Sequence, residues 1–397
     1  MASLNIYDPR ERALVAAVDR VLGLASTLAR PFRRRARPGA PRRILLLRLE
    51  RIGDLLMALP AIRDVRALAP AAEVHLAVGS WNLPIARAIS YVDRVETLDA
   101  RWLARGGRGA QRLVAATARW RRTSYDLAIN FEPDVRSNLL LAACGARWTA
   151  GWVSGGGGPL LDVGLDFDTR VHTTENARRL VAAVFERPAP PSPDPLLTIA
   201  EPVRRAALAR LAGASRPLVA IHVSGGRLVK QWEPEKFAEV GRRLAVEQGA
   251  TILLTGGPGD RALVDVVKRH VPADRTLDVA GAVDLLELAA LLEQVDVLVT
   301  GDTGPMHLAA AMGTPVAAVF GPSIPARYAP SGPADRIVRV DLPCSPCNRI
   351  RRPPPQCRGL IPECLTSIPA SRVYEAVLSA LACAPRTRRR PTNHATA

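Results

Sequence analysis

Apolar runs of strand length alternate with amphipathic stretches along most of this chain. Ile44 to Leu49 leads into the turn Glu50-Arg51-Ile52-Gly53-Asp54 and then into helical spacing from Leu55 to about Leu68. Strand-length runs recur at Glu73 to Val78, Val95 to Leu98 and Tyr125 to Phe131 with helical stretches between them, and Asn176 to Phe185 reads as a closing helix. After residues 187–195, which hold five prolines in nine positions, the pattern starts again. It runs through a strand at Leu218 to His222, a helix from Pro234 to Glu247, and strands at Thr251 to Leu254, Val295 to Thr300 and Val316 to Phe320. A helix from about Pro369 to Ala382 ends it. Alternation of this kind predicts parallel sheets, and a proline-dense stretch can neither continue a helix nor sit within a sheet. The chain therefore reads as α/β, with two Rossmann-like, doubly wound domains facing each other across a cleft. The divisions are a basic amphipathic arm (1–40), an N-terminal domain (41–187), a Pro-rich linker (188–195), a C-terminal domain (196–383) and a basic tail (384–397) expected to be disordered. Ligands of such folds sit beyond the carboxyl ends of the strands.

The arm has its own periodicity. Ala13, Leu14, Ala17, Val18, Val21, Leu22, Leu24, Ala25 and Leu28 recur at helical spacing, and Arg30-Pro31-Phe32-Arg33-Arg34-Arg35-Ala36-Arg37 follows. Two readings fit: an amphipathic helix lying on an anionic leaflet, or a helix packed on the main body with a solvated linker behind it.

Composition adds less. A chain of 397 residues, 48% hydrophobic, is long enough for two cored domains. The formal net charge of +17 favours an anionic partner without saying which. Only three of the 54 basic residues are lysines, Lys230, Lys236 and Lys268, a skew that weakens the charge as a sign of binding. With 4% aromatic residues and no nucleic-acid motif, nucleic acid is not expected as a partner. No apolar run approaches the ~20 residues of a membrane-crossing helix, and no secretory signal is evident. The expected location is the cytoplasm, with peripheral contact at the inner face of the cytoplasmic membrane if the arm binds lipid. Cys344, Cys347, Cys357 and Cys364 cluster as C-x2-C-x9-C-x6-C, a spacing that admits a zinc site without establishing one, because no second close cysteine pair is present.

The chemistry concentrates at the turns that follow strands. Gly301-Asp302-Thr303-Gly304-Pro305 is a glycine-rich turn after a buried strand, with Pro305 placed for the first turn of a helix. Free N–H groups at that helix start face an anion, and Thr303 and His307 share the face that can add donors, although Asp302 and Thr303 also read as ordinary caps. Ser224-Gly225-Gly226 and Lys230 follow another strand, so the ammonium and Ser224 can approach a phosphate group. Gly256-Gly257-Pro258-Gly259-Asp260 is a third such loop, and Asp260 can accept from ribose hydroxyls. Asp54 sits where the first strand hands over to its helix, as a cap or a base. Arg51, Arg63 and Arg136 are candidates for an acidic acceptor, since guanidinium pairs bidentately with carboxylate and phosphate. Asp166-Phe167-Asp168 matches the Asp-x-Asp pattern of metal-dependent transferases but lies in the other half from the phosphate loops, and reads as a solvated strand edge.

Gly301 to Ala309, then Gly313-Thr314-Pro315 and Phe320-Gly321-Pro322, closely resembles the donor-site signature of glycosyltransferase family 9, the ADP-heptose:lipopolysaccharide heptosyltransferases. Arg48 to Arg63 resembles the family's opening block, and Lys230-Gln231-Trp232 with Pro234 its Lys-x-Trp element. Tyr125 to Asn130 with Arg136-Ser137 follows the family too, with Asn130 where an aspartate is common. The resemblance spans roughly 43–382. It implies a GT-B fold, an acceptor in the first domain and a nucleotide-sugar donor such as ADP-heptose in the second. It also implies inverting displacement, with Asp54 as general base and with Ser224, Lys230, Asp260, Asp302, Thr303, Gly304 and His307 around the donor. No cofactor and no catalytic metal are expected, Lys230 and helix amides supplying the positive charge. The implied acceptor is a lipid-linked saccharide of the lipopolysaccharide core. The alternatives are a GT-B enzyme using another nucleotide sugar for a different surface polysaccharide, and a non-catalytic nucleotide- or polyanion-binding protein.

Overall fold

The computed structural model describes residues 4, 6, 8–29, 39–99, 110–192 and 195–383. The chain forms two compact units, 1–198 and 199–397. The basic tail 384–397 and the run Arg30 to Arg37 lie outside the described residues, as do positions 193 and 194 of the proline-rich stretch.

The first unit carries strands β1 (Arg43–Arg48), β2 (Glu73–Val78), β3 (Arg94–Thr97), β4 (Leu127–Asn130), β5 (Trp148–Trp152) and β6 (Val163–Leu165). They form one parallel sheet in the order β3-β2-β1-β4-β5-β6. Its centre is apolar on both faces: Ile44 to Leu47 are fully buried, with Leu46 registered between Leu76 of β2 and Ile129 of β4. Helices on either side of a parallel sheet leave no face for water, which is why β1 reads as a continuous hydrophobic run rather than an alternating one. The helix Ile52–Leu68 begins three residues before its apolar spacing does, because Arg51 takes the extended cap position. Tyr125 falls outside β4, yet it is buried with its hydroxyl 2.7 Å from His75 Nδ1.

The second unit repeats the plan with β7 (Leu218–His222), β8 (Thr251–Thr255), β9 (Thr276–Asp278), β10 (Val297–Gly301), β11 (Val316–Val319) and β12 (Arg336–Val338), in the order β12-β11-β10-β7-β8-β9. Both sheets thus have the 3-2-1-4-5-6 order of the dinucleotide-binding fold, and each has its topological switch where its first and fourth strands lie side by side. In the first unit that point is between β1 and β4; in the second it is between β7 and β10. The closing helix Ala370–Cys383 buries Val373, Tyr374, Val377 and Ala380 in the core of the second unit.

Two segments of the first unit are fixed by packing. The helix Pro9–Ala29 packs on the first unit through Val15, so the described part of the arm is joined to the body. The turn Gly155 to Gly158 is packed: a Cβ on Gly155 falls 2.3 Å from the Pro133 carbonyl carbon, and Asn138 Nδ2 donates to the Gly156 carbonyl.

Candidate active site: two strand-end clusters

The carboxyl end of β1 presents the first cluster. Arg48 ends an otherwise apolar strand with its guanidinium almost wholly buried. Its Nε donates to the Asp54 carbonyl (3.0 Å) and its Nη1 to the Phe131 carbonyl (2.8 Å), with Glu50 Oε2 at 3.1 Å from Nη1 and Asp54 Oδ1 at 3.4 Å from Nη2. Asp54 is the third residue of its helix, and its side chain keeps about a quarter of its surface open. One buried cation therefore orients the candidate base through both its backbone and its carboxylate.

The loop that carries Asp54 is held from below by Glu132, which is 1% exposed and just past β4. Its Oε1 accepts from the N–H groups of Leu49 and Glu50, the second at 2.9 Å, and its Oε2 accepts from the Ser137 hydroxyl. Burial pushes the Glu132 carboxyl above the usual range, against the pull of Arg48, Ser137 and the Leu49 N–H. Trp81 Nε1 (2.8 Å) and Asn82 Nδ2 (2.7 Å) donate to the Glu50 carbonyl from the far side. Asn130 completes the frame by donating to Asn138 Oδ1 (2.8 Å) and the Glu132 carbonyl (3.0 Å) while accepting from the Glu132 N–H. A carboxylate cannot donate, so asparagine rather than aspartate suits this position.

The three candidate arginines are not gathered. Arg51 is exposed at the helix start. Arg63 lies nine residues beyond Asp54 on the same helix, about 13 Å along its axis at 1.5 Å per residue, where its charge acts on Tyr91. Arg136 is engaged by Asp134, with Nε–Oδ1 at 2.9 Å and Nη2–Oδ2 at 2.5 Å. Burial alone would raise the Asp134 carboxyl, but Arg136 holds it below the usual range. Asp168, in the Asp-x-Asp pattern, is tied to Arg170 at 3.1 Å.

The second cluster lies at the β7/β10 switch of the other unit. After β7 the chain turns through Ser224-Gly225-Gly226 and a 3₁₀ turn, Leu228–Lys230. Gly225 admits no side chain, since a Cβ there would stand 2.6 Å from the Lys230 carbonyl group. Gln231 pins the loop: its Oε1 accepts from the Gly225 N–H (2.8 Å), and its Nε2 donates to the carbonyls of Val223 (2.8 Å) and Trp232 (2.6 Å). Ser224 Oγ accepts from the Gly226 N–H at 3.2 Å. Lys230 Nζ then reaches across to Asp302 Oδ2 at 2.8 Å, joining the loop after β7 to the one after β10. Burial by itself would raise the Asp302 carboxyl, but Lys230 and His307, with hydrogen bonds from Lys230 and Ser323, hold it below the ordinary carboxylate range.

The helix Gly304–Ala311 begins at this pair. Its cap, Thr303, makes no side-chain capping bond; its Oγ1 lies 3.1 Å from Thr300 Oγ1 instead. The N–H groups of this first turn therefore lack the capping side-chain acceptor that usually satisfies them. Lys230, Asp302, Thr303, Gly304 and His307 come together at this helix start as one amide-lined cradle in which the ammonium faces the carboxylate. Asp260 has a structural duty as well, its Oδ2 accepting from the Gly257 N–H at 2.8 Å.

Sequence reasoning passed over Arg48, Glu132, Gln231, Ser323 and His222. Arg48 had a signal, a charge ending a buried strand. Glu132 had none, since its partners lie 82 and 83 residues away. His222 is buried with Nδ1 3.1 Å from Thr255 Oγ1, and burial pushes its pKa down to about 4, the nearby Asp260 charge opposing. Between about pH 6.5 and pH 4 the unfolded chain binds a proton that the folded one refuses. Stability therefore falls as the pH is lowered through that window, by about 3 kcal/mol at its lower end. His222→Gln is expected to flatten this dependence, read as urea midpoints at several pH values; identical profiles for both proteins would refute it.

The four clustered cysteines are free thiols. Cys364 is buried against Gly321, and its thiol is pushed up to about 11 chiefly by burial. Among the described residues, no three His, Cys, Asp or Glu side chains are grouped to hold a metal ion.

Comparison with known proteins agrees with this geometry. Lipopolysaccharide heptosyltransferase 1 of Pseudomonas aeruginosa is 26% identical over 381 residues, covering 87% of this chain and all of that one. A family 9 glycosyltransferase from Veillonella parvula has the same fold, with a TM-score of 0.70 at 21% identity over 86% of this chain and 97% of that one. The Escherichia coli ADP-heptose lps heptosyltransferase II superposes with a TM-score of 0.68 at 20% identity, covering 86% and 98%. The sequence model of glycosyltransferase family 9 (heptosyltransferase) matches residues 114–356, more than half the chain, and to that family this protein belongs.

Proposed function

We propose that this glycosyltransferase moves a heptose from ADP-heptose to a lipid-linked acceptor of the lipopolysaccharide core, by direct displacement with inversion at the anomeric carbon. The observation that carries the reading is the Lys230–Asp302 pair set at an uncapped helix start. A departing nucleoside diphosphate gains negative charge as the glycosidic bond breaks. The ammonium, the Gly304–Ala311 helix amides and the Thr303 and His307 side chains are placed to meet that charge. Asp302 keeps the ammonium positioned, and Ser224 and Asp260 border the same strand ends. Charge compensation from these groups needs no metal ion. Asp54, oriented by Arg48, takes the proton from the acceptor hydroxyl as the new bond forms. The relatives' names supply the sugar: the E. coli structure is of an ADP-heptose lps heptosyltransferase, and the Pseudomonas relative is a lipopolysaccharide heptosyltransferase. Work on such an acceptor belongs at the cytoplasmic face of the inner membrane, and no described helix is long and apolar enough to cross it.

Melting curves against a panel of nucleotide sugars test the donor. A ligand selective for the folded state raises its stability by RT ln(1 + [L]/Kd), about 2.7 kcal/mol at a hundredfold excess over Kd. ADP-heptose is expected to give the largest shift, with a UDP- or GDP-sugar giving none. A larger shift from any other nucleotide sugar would reassign the donor.

A further inference from the structure

We propose that the N-terminal helix is a membrane-docking element that seats the protein on an anionic lipid leaflet. The helix Pro9–Ala29 is fixed to the first unit along one line of residues. Val15 is 5% exposed, with its Cγ1 2.3 Å from where a Cβ on Gly156 would stand. Asp19 Oδ1 accepts from the Gly157 N–H at 2.6 Å, and Gly23 lies against Pro159. Residues 15, 19 and 23 are four apart and share one face.

The opposite face carries a second line. Leu14, Val21 and Leu24 are 66%, 66% and 70% exposed, and Ala17 between them is exposed too. At about 100° per residue, 14, 17, 21 and 24 centre on the side of the helix turned away from 15, 19 and 23. The docking contacts thus hold the helix with its apolar stripe outward. A helix held only as packing would turn its large apolar residues inward, and this one leaves three of them in water.

Charge selects the occupant. Arg10 is exposed where it continues the line of the stripe at its N-terminal end, Arg20 is exposed beside it, and five arginines with no acidic residue follow in 30–37. Of the helix's two acidic residues, Asp19 is used to grip Gly157. Shallow apolar side chains flanked by arginine suit the boundary between acyl chains and anionic headgroups, where the arginine stems reach back to phosphate. The helix lies on such a surface rather than crossing it, for no described helix can span.

The test is co-sedimentation of the full-length protein with vesicles of phosphatidylcholine alone or mixed in equal parts with phosphatidylglycerol. Binding to the mixed vesicles, weakened by salt, with little to phosphatidylcholine alone, is expected. The triple variant Leu14→Gln, Val21→Gln, Leu24→Gln is expected to bind on the order of tenfold more weakly or worse, with an unchanged melting temperature because none of the three faces the body. Arg33→Gln, Arg34→Gln, Arg35→Gln is expected to reduce the salt dependence. Undiminished binding by the first variant, equal binding to both vesicle types, or no binding at all overturns the proposal. A dimer that the first variant abolishes, without vesicle binding, assigns the stripe to a second copy instead. None of these readouts uses the sugar donor, so the donor and the docking element stand or fall separately.

Discussion

Replacing Asp54 by asparagine is expected to lower turnover by about 10²- to 10⁴-fold, the usual range for a positioned general base, while nucleotide binding is untouched. The substitution keeps size and shape, so the Arg48 hydrogen bond to the residue 54 carbonyl survives and the loop stays in place. What is lost is the carboxylate that takes the acceptor proton. Single-turnover rates with the donor, set beside the nucleotide dissociation constant from calorimetry, separate the two. Equal loss in both would make Asp54 a structural residue of the loop. A turnover close to wild type would remove it from the reaction and would falsify the mechanism proposed here.

Lys230→Met should act on catalysis and stability together. Loss of the ammonium leaves the buried Asp302 carboxylate without its cation, a change that costs about 3–5 kcal/mol when one partner of a buried pair is deleted. It also removes the positive charge that Asp302 holds at the helix start, and deleting one preorganised electrostatic group slows a reaction by about 10²- to 10³-fold. The double variant Lys230→Met, Asp302→Asn separates the effects. It should regain much of the lost melting temperature, because no uncompensated charge remains, and should stay slow. A double variant that recovers turnover would mean that Lys230 serves only to neutralise Asp302. A single variant with unchanged melting temperature would mean that the pair is not energetically buried.

The hydrophobic pattern determined the plan of each half. Leu45 to Leu47 and Val297 to Val299 read as buried parallel strands because helices on both faces leave no position for a polar residue, and the strands at Glu73–Val78 and Leu218–His222 match residue for residue. Strand ends followed by glycine and a polar residue marked Asp54, Ser224 and Asp302, since in a doubly wound sheet that is where turns are free of packing. What the one-dimensional pattern could not hold was side-chain partnership across strands. The order of the strands puts Glu132 under the Leu49–Glu50 amides and Lys230 beside Asp302, across 83 and 72 positions of chain, and only that proximity turns a capping aspartate into half of a buried ion pair. The same holds for the arginines. Arg51, Arg63 and Arg136 looked alike in sequence, and one helix's rise and one carboxylate at Asp134 part them. The N-terminal helix shows the division most plainly. Periodicity declared it amphipathic, but which of its faces meets the protein was set more than a hundred residues away, by Gly156, whose missing side chain leaves room for Val15, and by the Gly157 N–H, which donates to Asp19.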